Sequence, residues 1–194
     1  MKIKRENYNN IWFTSDWHFS HNRPFIVDAR GFNNIHEHDD FILSTYNKLV
    51  DHNDMVFHMG DLSFGGQGRC ASLLASLSCK NFYCISGNHD RDLRSTTHDK
   101  MLGQFKEIDI NYKDTQYPIT LGHYPMMSWN KSHHGAWSLC GHSHGSNPHS
   151  LPSDKNGKRL DVGIDVGLKF NSTFMFTFED VYAIMKSKLI TVHH

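Results

Sequence analysis

Two histidines one residue apart, bracketed by glycines in Gly141-His142-Ser143-His144-Gly145, set two imidazoles close together on a tight turn. Trp137-Ser138-Leu139-Cys140 just before them reads as a short strand, so the pair follows a strand end. With sixteen histidines in the chain, one such pair decides little by itself. Asp16-Trp17-His18 repeats the arrangement after the apolar run Ile11-Trp12-Phe13-Thr14. Between the two pairs, Gly60-Asp61, Gly87-Asn88-His89-Asp90 and Gly122-His123 place further ligand-type residues at similar strand-to-loop junctions. Collected, Asp16, His18, Asp61, Asn88, His123, His142 and His144 offer carboxylate, imidazole and amide-oxygen donors. That mixture suits divalent transition metals, and its lack of cysteine argues against a structural zinc knot. Seven side chains are too many for one ion and suit two if a carboxylate bridges. Two ions ~3.5–4 Å apart can clamp the attacking and leaving oxygens of a phosphoryl displacement and bring the pKa of bound water towards ~7.

Short buried runs must carry these residues. Ile11–Thr14, Met55–Met59 and Phe82–Ile85 read as strands, each ending at one of the blocks. Phe41, Ile42, Tyr46, Leu49 and Val50 fall on one face of a helix between Ile35 and Val50, and Cys70 to Leu77 reads as a shorter helix after a glycine-rich loop. Strands alternating with helices argue for an α/β layered fold with a largely parallel sheet, in which sites form beyond the carboxyl ends of the strands. Beyond Lys100 the texture changes. Phe105–Ile110, Tyr112, Tyr117–Leu121, Ala136–Cys140, Leu160–Ile164 and Phe174–Phe178 read as strands with few helices between, which implies a second sheet packed on the first. Ser153 to Lys158 reads as a hairpin-type turn, Asp92 to Lys100 as a helix, and Glu179 to Lys186 as a closing helix capped by Thr177.

The five blocks stand in one order from residue 16 to residue 144, and together they resemble the signature blocks of the calcineurin-like metallophosphoesterases. The stretches Asp16-Trp17-His18-Phe19-Ser20-His21 and His123-Tyr124-Pro125-Met126-Met127-Ser128-Trp129 resemble the small bacterial and phage branch of that family. The resemblance implies a four-layer α/β/β/α sandwich of two mixed sheets flanked by helices. One metal would take Asp16, His18, Asp61 and His144, and the other Asp61, Asn88, His123 and His142, with Asp61 bridging. His89 would face the scissile bond and protonate the leaving oxygen, with Asp90 orienting its ring. The implied reaction is hydrolysis of a phosphomonoester or phosphodiester by direct attack of a metal-bound hydroxide. Manganese is the favoured ion, and iron, zinc and nickel also suit the ligands.

Several residues keep a plainer reading. Asn88 could cap a turn, and Asp90 could cap the helix after it as readily as orient His89. His21 and Arg23 follow the first block closely enough to touch a substrate phosphate, or simply line a surface loop. Trp129 could wall the site or pack beneath its own loop. The chain of 194 residues fits one domain, 1–194, with 38 % apolar residues and 12 % aromatics. Lys+Arg and Asp+Glu are 20 each, so no global field steers it to nucleic acid or a membrane. Cys70, Cys79, Cys84 and Cys140 form no framework, and no secretion signal or 18-residue apolar stretch is visible, which fits a cytoplasmic protein with reduced thiols. The expected partner is a small phosphoester, with nucleotides among the options. A nuclease acting on DNA or RNA, and a non-catalytic interaction module on the same fold, are the rival readings.

Overall fold

The chain begins with β1 (Lys2–Ile3) and β2 (Ile11–Thr14), followed by α1 (Pro24–Val27), α2 (Ile35–Leu49), β3 (Met55–His58), α3 (Gly66–Ser76) and β4 (Asn81–Cys84). Then come β5 (Phe105–Tyr112), β6 (Thr115–Gly122), β7 (Trp137–Cys140), β8 (Arg159–Asp161), α4 (Ile164–Phe170), β9 (Phe176–Thr177) and α5 (Phe178–Ser187). The computed structural model describes residues 1–4, 8–91, 93 and 100–190. Among these, no helix is long and apolar enough to cross a membrane.

The strands form two mixed sheets, one ordered β4-β3-β2-β9 and the other β1-β5-β6-β7-β8. In the first, β2, β3 and β4 run parallel, with Phe13 opposite Phe57 and Phe57 opposite Tyr83. In the second, β6, β7 and β8 run parallel, with Ile119 opposite Trp137 and Leu139 opposite Leu160. Period-2 alternation decides which way each side chain faces. Ile11, Phe13 and Phe57 pack against Ile108, Ile110, Ile119, Leu121 and Leu139 of the larger sheet in one buried cluster. Val56, Phe82 and Cys84 point the other way and join Trp17, Ile42, Tyr46 and Leu73 beneath α2 and α3. Helix α5 lies near β9, β2 and β8 and adds Phe178, Val181, Ile184 and Met185 to the core between the sheets. The expected architecture of two mixed sheets with flanking helices is what the chain adopts.

Local chemistry sets the boundaries. Asn34 caps α2 by accepting from the Glu37 amide at 3.0 Å. Thr177 and Asp180 form a reciprocal capping box on α5. Three expectations need correction. Helix α3 starts at Gly66 rather than Cys70, because the glycine run forms its first turn. The strand expected over Leu160–Ile164 stops at Asp161, and α4 begins at Ile164. The Ser153–Lys158 segment lies between parallel neighbours β7 and β8, so it belongs to a crossover and not a hairpin. The helix expected from Asp92 to Lys100 falls mostly outside the described residues.

Candidate metal centre

All five blocks meet at one edge of the sandwich. Asp16 and His18 follow β2, Asp61 follows β3, and Asn88 and His89 follow β4. From the other sheet, His123 follows β6, while His142 and His144 follow β7. Parallel strands within each sheet aim their carboxyl ends the same way, which is why residues spread over most of the chain converge.

The backbone at these junctions is unusual. Asp16, His18, Asp61, His142 and His144 have φ of 58°, 51°, 58°, 65° and 48°. L-residues rarely adopt this left-handed region, at a cost of about 1–3 kcal/mol each, and such strain clusters at functional sites. Two glycines allow the tight approach. A Cβ on Gly87 would collide with the Asp61 carboxylate, and one on Gly141 with Ser15 and Asp16.

Donor atoms gather in two groups, Asp16 with His18 and His144, and Asp61 with His123 and His142, each within 4.8 Å. His18 Nε2 lies 3.7 Å from Asp61 Oδ2, and His123 Nε2 lies 3.4 Å from the same oxygen. One carboxylate oxygen therefore faces both groups. Asn88 joins the second through its Oδ1, 3.0 Å from His123 Nε2. His18 Nε2 is buried and has no hydrogen-bond partner.

In His123, His144 and His18 the ring nitrogen pointing away from the centre is occupied. His123 Nδ1 sits 2.9 Å from the Met59 carbonyl, and His144 Nδ1 sits 2.7 Å from Asp165 Oδ2. His18 Nδ1 meets His21 Nδ1 at 3.1 Å. A proton on the outward nitrogen leaves the inward lone pair for a cation.

Electrostatics agree. Burial pushes the Asp16 carboxyl up to about 7, although His123 and His144 pull it down. Burial also drives the His18 imidazole far below its ordinary value. At Asp61 burial works upwards, but the His123 hydrogen bond and charge outweigh it and hold the carboxyl low. A fully buried carboxyl whose charge burial disfavours and an orphaned imidazole nitrogen beside it are donors that a cation would satisfy. Donor types, spacing and the unmet nitrogen fit two divalent ions.

The remaining expected site residues divide. His89 donates its backbone N–H to Asp61 Oδ1 at 2.9 Å, and its ring stays partly exposed, with Nε2 4.0 Å from Asp61 Oδ2. Its ring leans on Phe64, centroid to centroid 4.7 Å. The Asp90 carboxylate meets backbone amides. Its Oδ2 accepts the amides of Asp61 and Gly87, both at 2.7 Å, and its Oδ1 accepts that of Leu62 at 2.9 Å. The buried carboxylate binds two ligand loops together, since their amides have no strand partners at that point. His21 is only 8 % exposed, stacks on Phe64 at 3.7 Å, and stands behind His18. Burial, with His89 and Arg23 nearby, lowers its imidazole to about 4. Arg23 is exposed at the start of α1. Trp129 packs, donating to the Ala136 carbonyl at 2.9 Å.

Three supporting residues escaped the sequence reading. Asp161 is fully buried and accepts from Ser143 Oγ, the Gly145 amide and the Gly163 amide, at 2.7, 3.1 and 2.8 Å. Asp165 backs His144, and Arg30 backs Asp165. Asp165 follows a strand as closely as the blocks do, so the junction rule would have flagged it had β8 been ended correctly. Arg30 carried no local signal.

Comparison with known proteins adds a family and a fold. The calcineurin-like phosphoesterase model matches residues 10–161. An uncharacterized protein of Methanocaldococcus jannaschii is 28 % identical over 157 residues, spanning 80 % of this chain and 81 % of its own length. The gene 66 protein of Mycobacterium phage L5 is 26 % identical over 183 residues, spanning 81 % and 87 %. Among solved structures, a protein of unknown function from Aquifex aeolicus superposes with a TM-score of 0.56 at 17 % identity, over 90 % of this chain and 98 % of that one. That last likeness is one of fold.

Proposed function

Because the chain belongs to the calcineurin-like phosphoesterase family, we propose that it hydrolyses a small phosphomonoester or phosphodiester with two divalent ions, manganese favoured. Asp16, His18 and His144 would hold one ion, Asn88, His123 and His142 the other, and Asp61 would touch both. Such ions supply Lewis-acid polarisation of a phosphoryl oxygen and bring the pKa of bound water towards ~7.

The protein's own groups do the rest. The Met59 carbonyl and the Asp165 carboxylate accept from the outward Nδ1–H groups of His123 and His144, which keeps the inward nitrogens free to bind. Asp90 fixes the Asp61 backbone and so the position of its shared oxygen. His89 Nε2 is the group placed to move a proton. It hangs at the open side of the centre and is partly exposed. We assign it donation to the leaving oxygen. Asn88, His89 and His142 are exposed, so substrate enters from solvent across them.

The observation that carries this reading is the single Asp61 oxygen lying within 3.7 Å of His18 Nε2 and 3.4 Å of His123 Nε2. The test is hydrolysis of aryl phosphate monoesters and diesters by metal-stripped protein, with and without added Mn²⁺. Metal-dependent turnover supports the reading; no turnover with protein that has taken up the ion contradicts it.

A further inference from the structure

Arg30 lies outside every block that carries chemistry, yet its side chain is 1 % exposed and all five of its N–H donors are engaged. Nε and Nη2 donate to the two oxygens of Asp165 at 3.0 and 2.8 Å. Nη2 also donates to the Asp16 carbonyl at 2.7 Å, and Nη1 to the Trp17 carbonyl at 3.1 Å. The fifth bond runs from Nη1 to His38 Nε2 at 2.9 Å. Since a guanidinium only donates, that nitrogen must accept, and the His38 proton lies on Nδ1, 3.0 Å from Asp39 Oδ1.

One buried cation thus grips three of the parts that surround a single donor group. It holds the Asp16 and Trp17 carbonyls, on the stretch of backbone where Asp16 and His18 are left-handed. Through Asp165 it holds the ring of His144. The group formed by Asp61, His123 and His142 rests on other supports, the Met59 carbonyl and the Asp90 carboxylate. The two groups touch where the Asp16 carboxylate accepts the His142 amide at 2.9 and 3.1 Å and where the His18 amide donates to the Asp61 carbonyl at 3.0 Å, but none of the five Arg30 bonds goes to Asp61, His123 or His142.

We propose that Arg30, acting through Asp165 and the Asp16 and Trp17 carbonyls, is the positioning residue that builds one of the two cation sites and leaves the other alone. The inference rests on the two-ion reading above. A planar fork that fills both carboxylate oxygens fixes the plane of Asp165, and that plane aims Oδ2 at His144 Nδ1. Lysine offers one point charge with three donors and cannot make the same set of bonds.

Manganese content, binding isotherms and electron paramagnetic resonance of the chelator-stripped, reloaded parent are compared with those of Arg30→Met, Arg30→Lys and Asp165→Asn. The parent is expected to take up two ions with the spectrum of a spin-coupled pair. Each variant should keep one ion at parental affinity, bind the other about 10–100-fold more weakly, and show the spectrum of an isolated ion. Adding Asn88→Ala to Asp165→Asn should then empty the remaining site. Should Arg30→Met fail to fold, Asp165→Asn decides, because it keeps the guanidinium on the two carbonyls. Folded variants that bind two ions as the parent does, or that lose both equally, overturn the proposal while the two-ion reading stands. A parent that never takes up a second ion removes both.

Discussion

His18 has one ring nitrogen satisfied by His21 and the other buried with nothing to bond, 3.7 Å from Asp61 Oδ2. Leaving a buried polar atom unmatched costs about 1–3 kcal/mol, and a cation bound there would remove that cost. Replacing Asp61 by Asn keeps its shape but removes the charge facing both groups, so metal content and turnover should fall together. Retention of both by that variant would refute the shared role. His89→Ala should keep both ions and lose about 10²–10⁴-fold in kcat, because proton donation is made only at the transition state. Unchanged kcat would take His89 out of the reaction. Asp90→Ala should instead act on the scaffold, leaving three buried amides without an acceptor. A loss of about 3 kcal/mol or more in a urea melt is the expected result, and a loss under about 1 kcal/mol would contradict it. The ligand-type residues were legible because each sits a few positions past a strand. Their supports were not: Arg30 and Asp165 are 135 residues apart, and nothing local marks a guanidinium that will end up beneath a carboxylate.

Helices α2, α3 and α5 were legible in the sequence, and α4 was read as a strand. Val162-Gly163-Ile164-Asp165-Val166-Gly167 alternates in a way that suits a strand, and Gly167 counts against a helix. The structure supplies the reason for that glycine: a Cβ there would run into the Phe174 backbone, so α4 needs it for close approach. Helix α5 was legible from Thr177, and its cap gives a direct check. Thr177→Ala should cost about 1 kcal/mol in a urea melt, with no change in metal content. At the other end of α5, Lys188 is 3 % exposed and donates to the Leu151 and Asp154 carbonyls at 2.8 and 2.7 Å. Burial lowers its ammonium from 10.5 to about 8. The unfolded chain holds that proton more tightly, so folding stability should rise as pH climbs from about 8 towards about 10.5 and be lowest below that window. Comparing urea melts of the parent and Lys188→Met across this range isolates the effect, since the variant should lack the rise. Parallel slopes for the two would contradict it.

Across the whole molecule, the fold's task is to bring five strand ends from two sheets to one edge. The alternation of strands and helices up to Cys84 and the strand-rich second half made the two-sheet architecture readable. The order of strands within each sheet was not, because the pairing of β1 with β5 and of β2 with β9 joins segments more than a hundred residues apart. Ions held as proposed would bind the folded chain and not the unfolded one, so chelation should lower the melting temperature. Each ion at a concentration of about 100 times its Kd contributes about 2.7 kcal/mol, and re-addition should restore it. The most direct measurement is anomalous diffraction at the manganese edge from crystals grown with Mn²⁺. Two peaks ~3.5–4 Å apart on either side of the Asp61 carboxylate are the expected result. A single peak among Asp16, His18, Asp61, Asn88, His123, His142 and His144, or none, would contradict it.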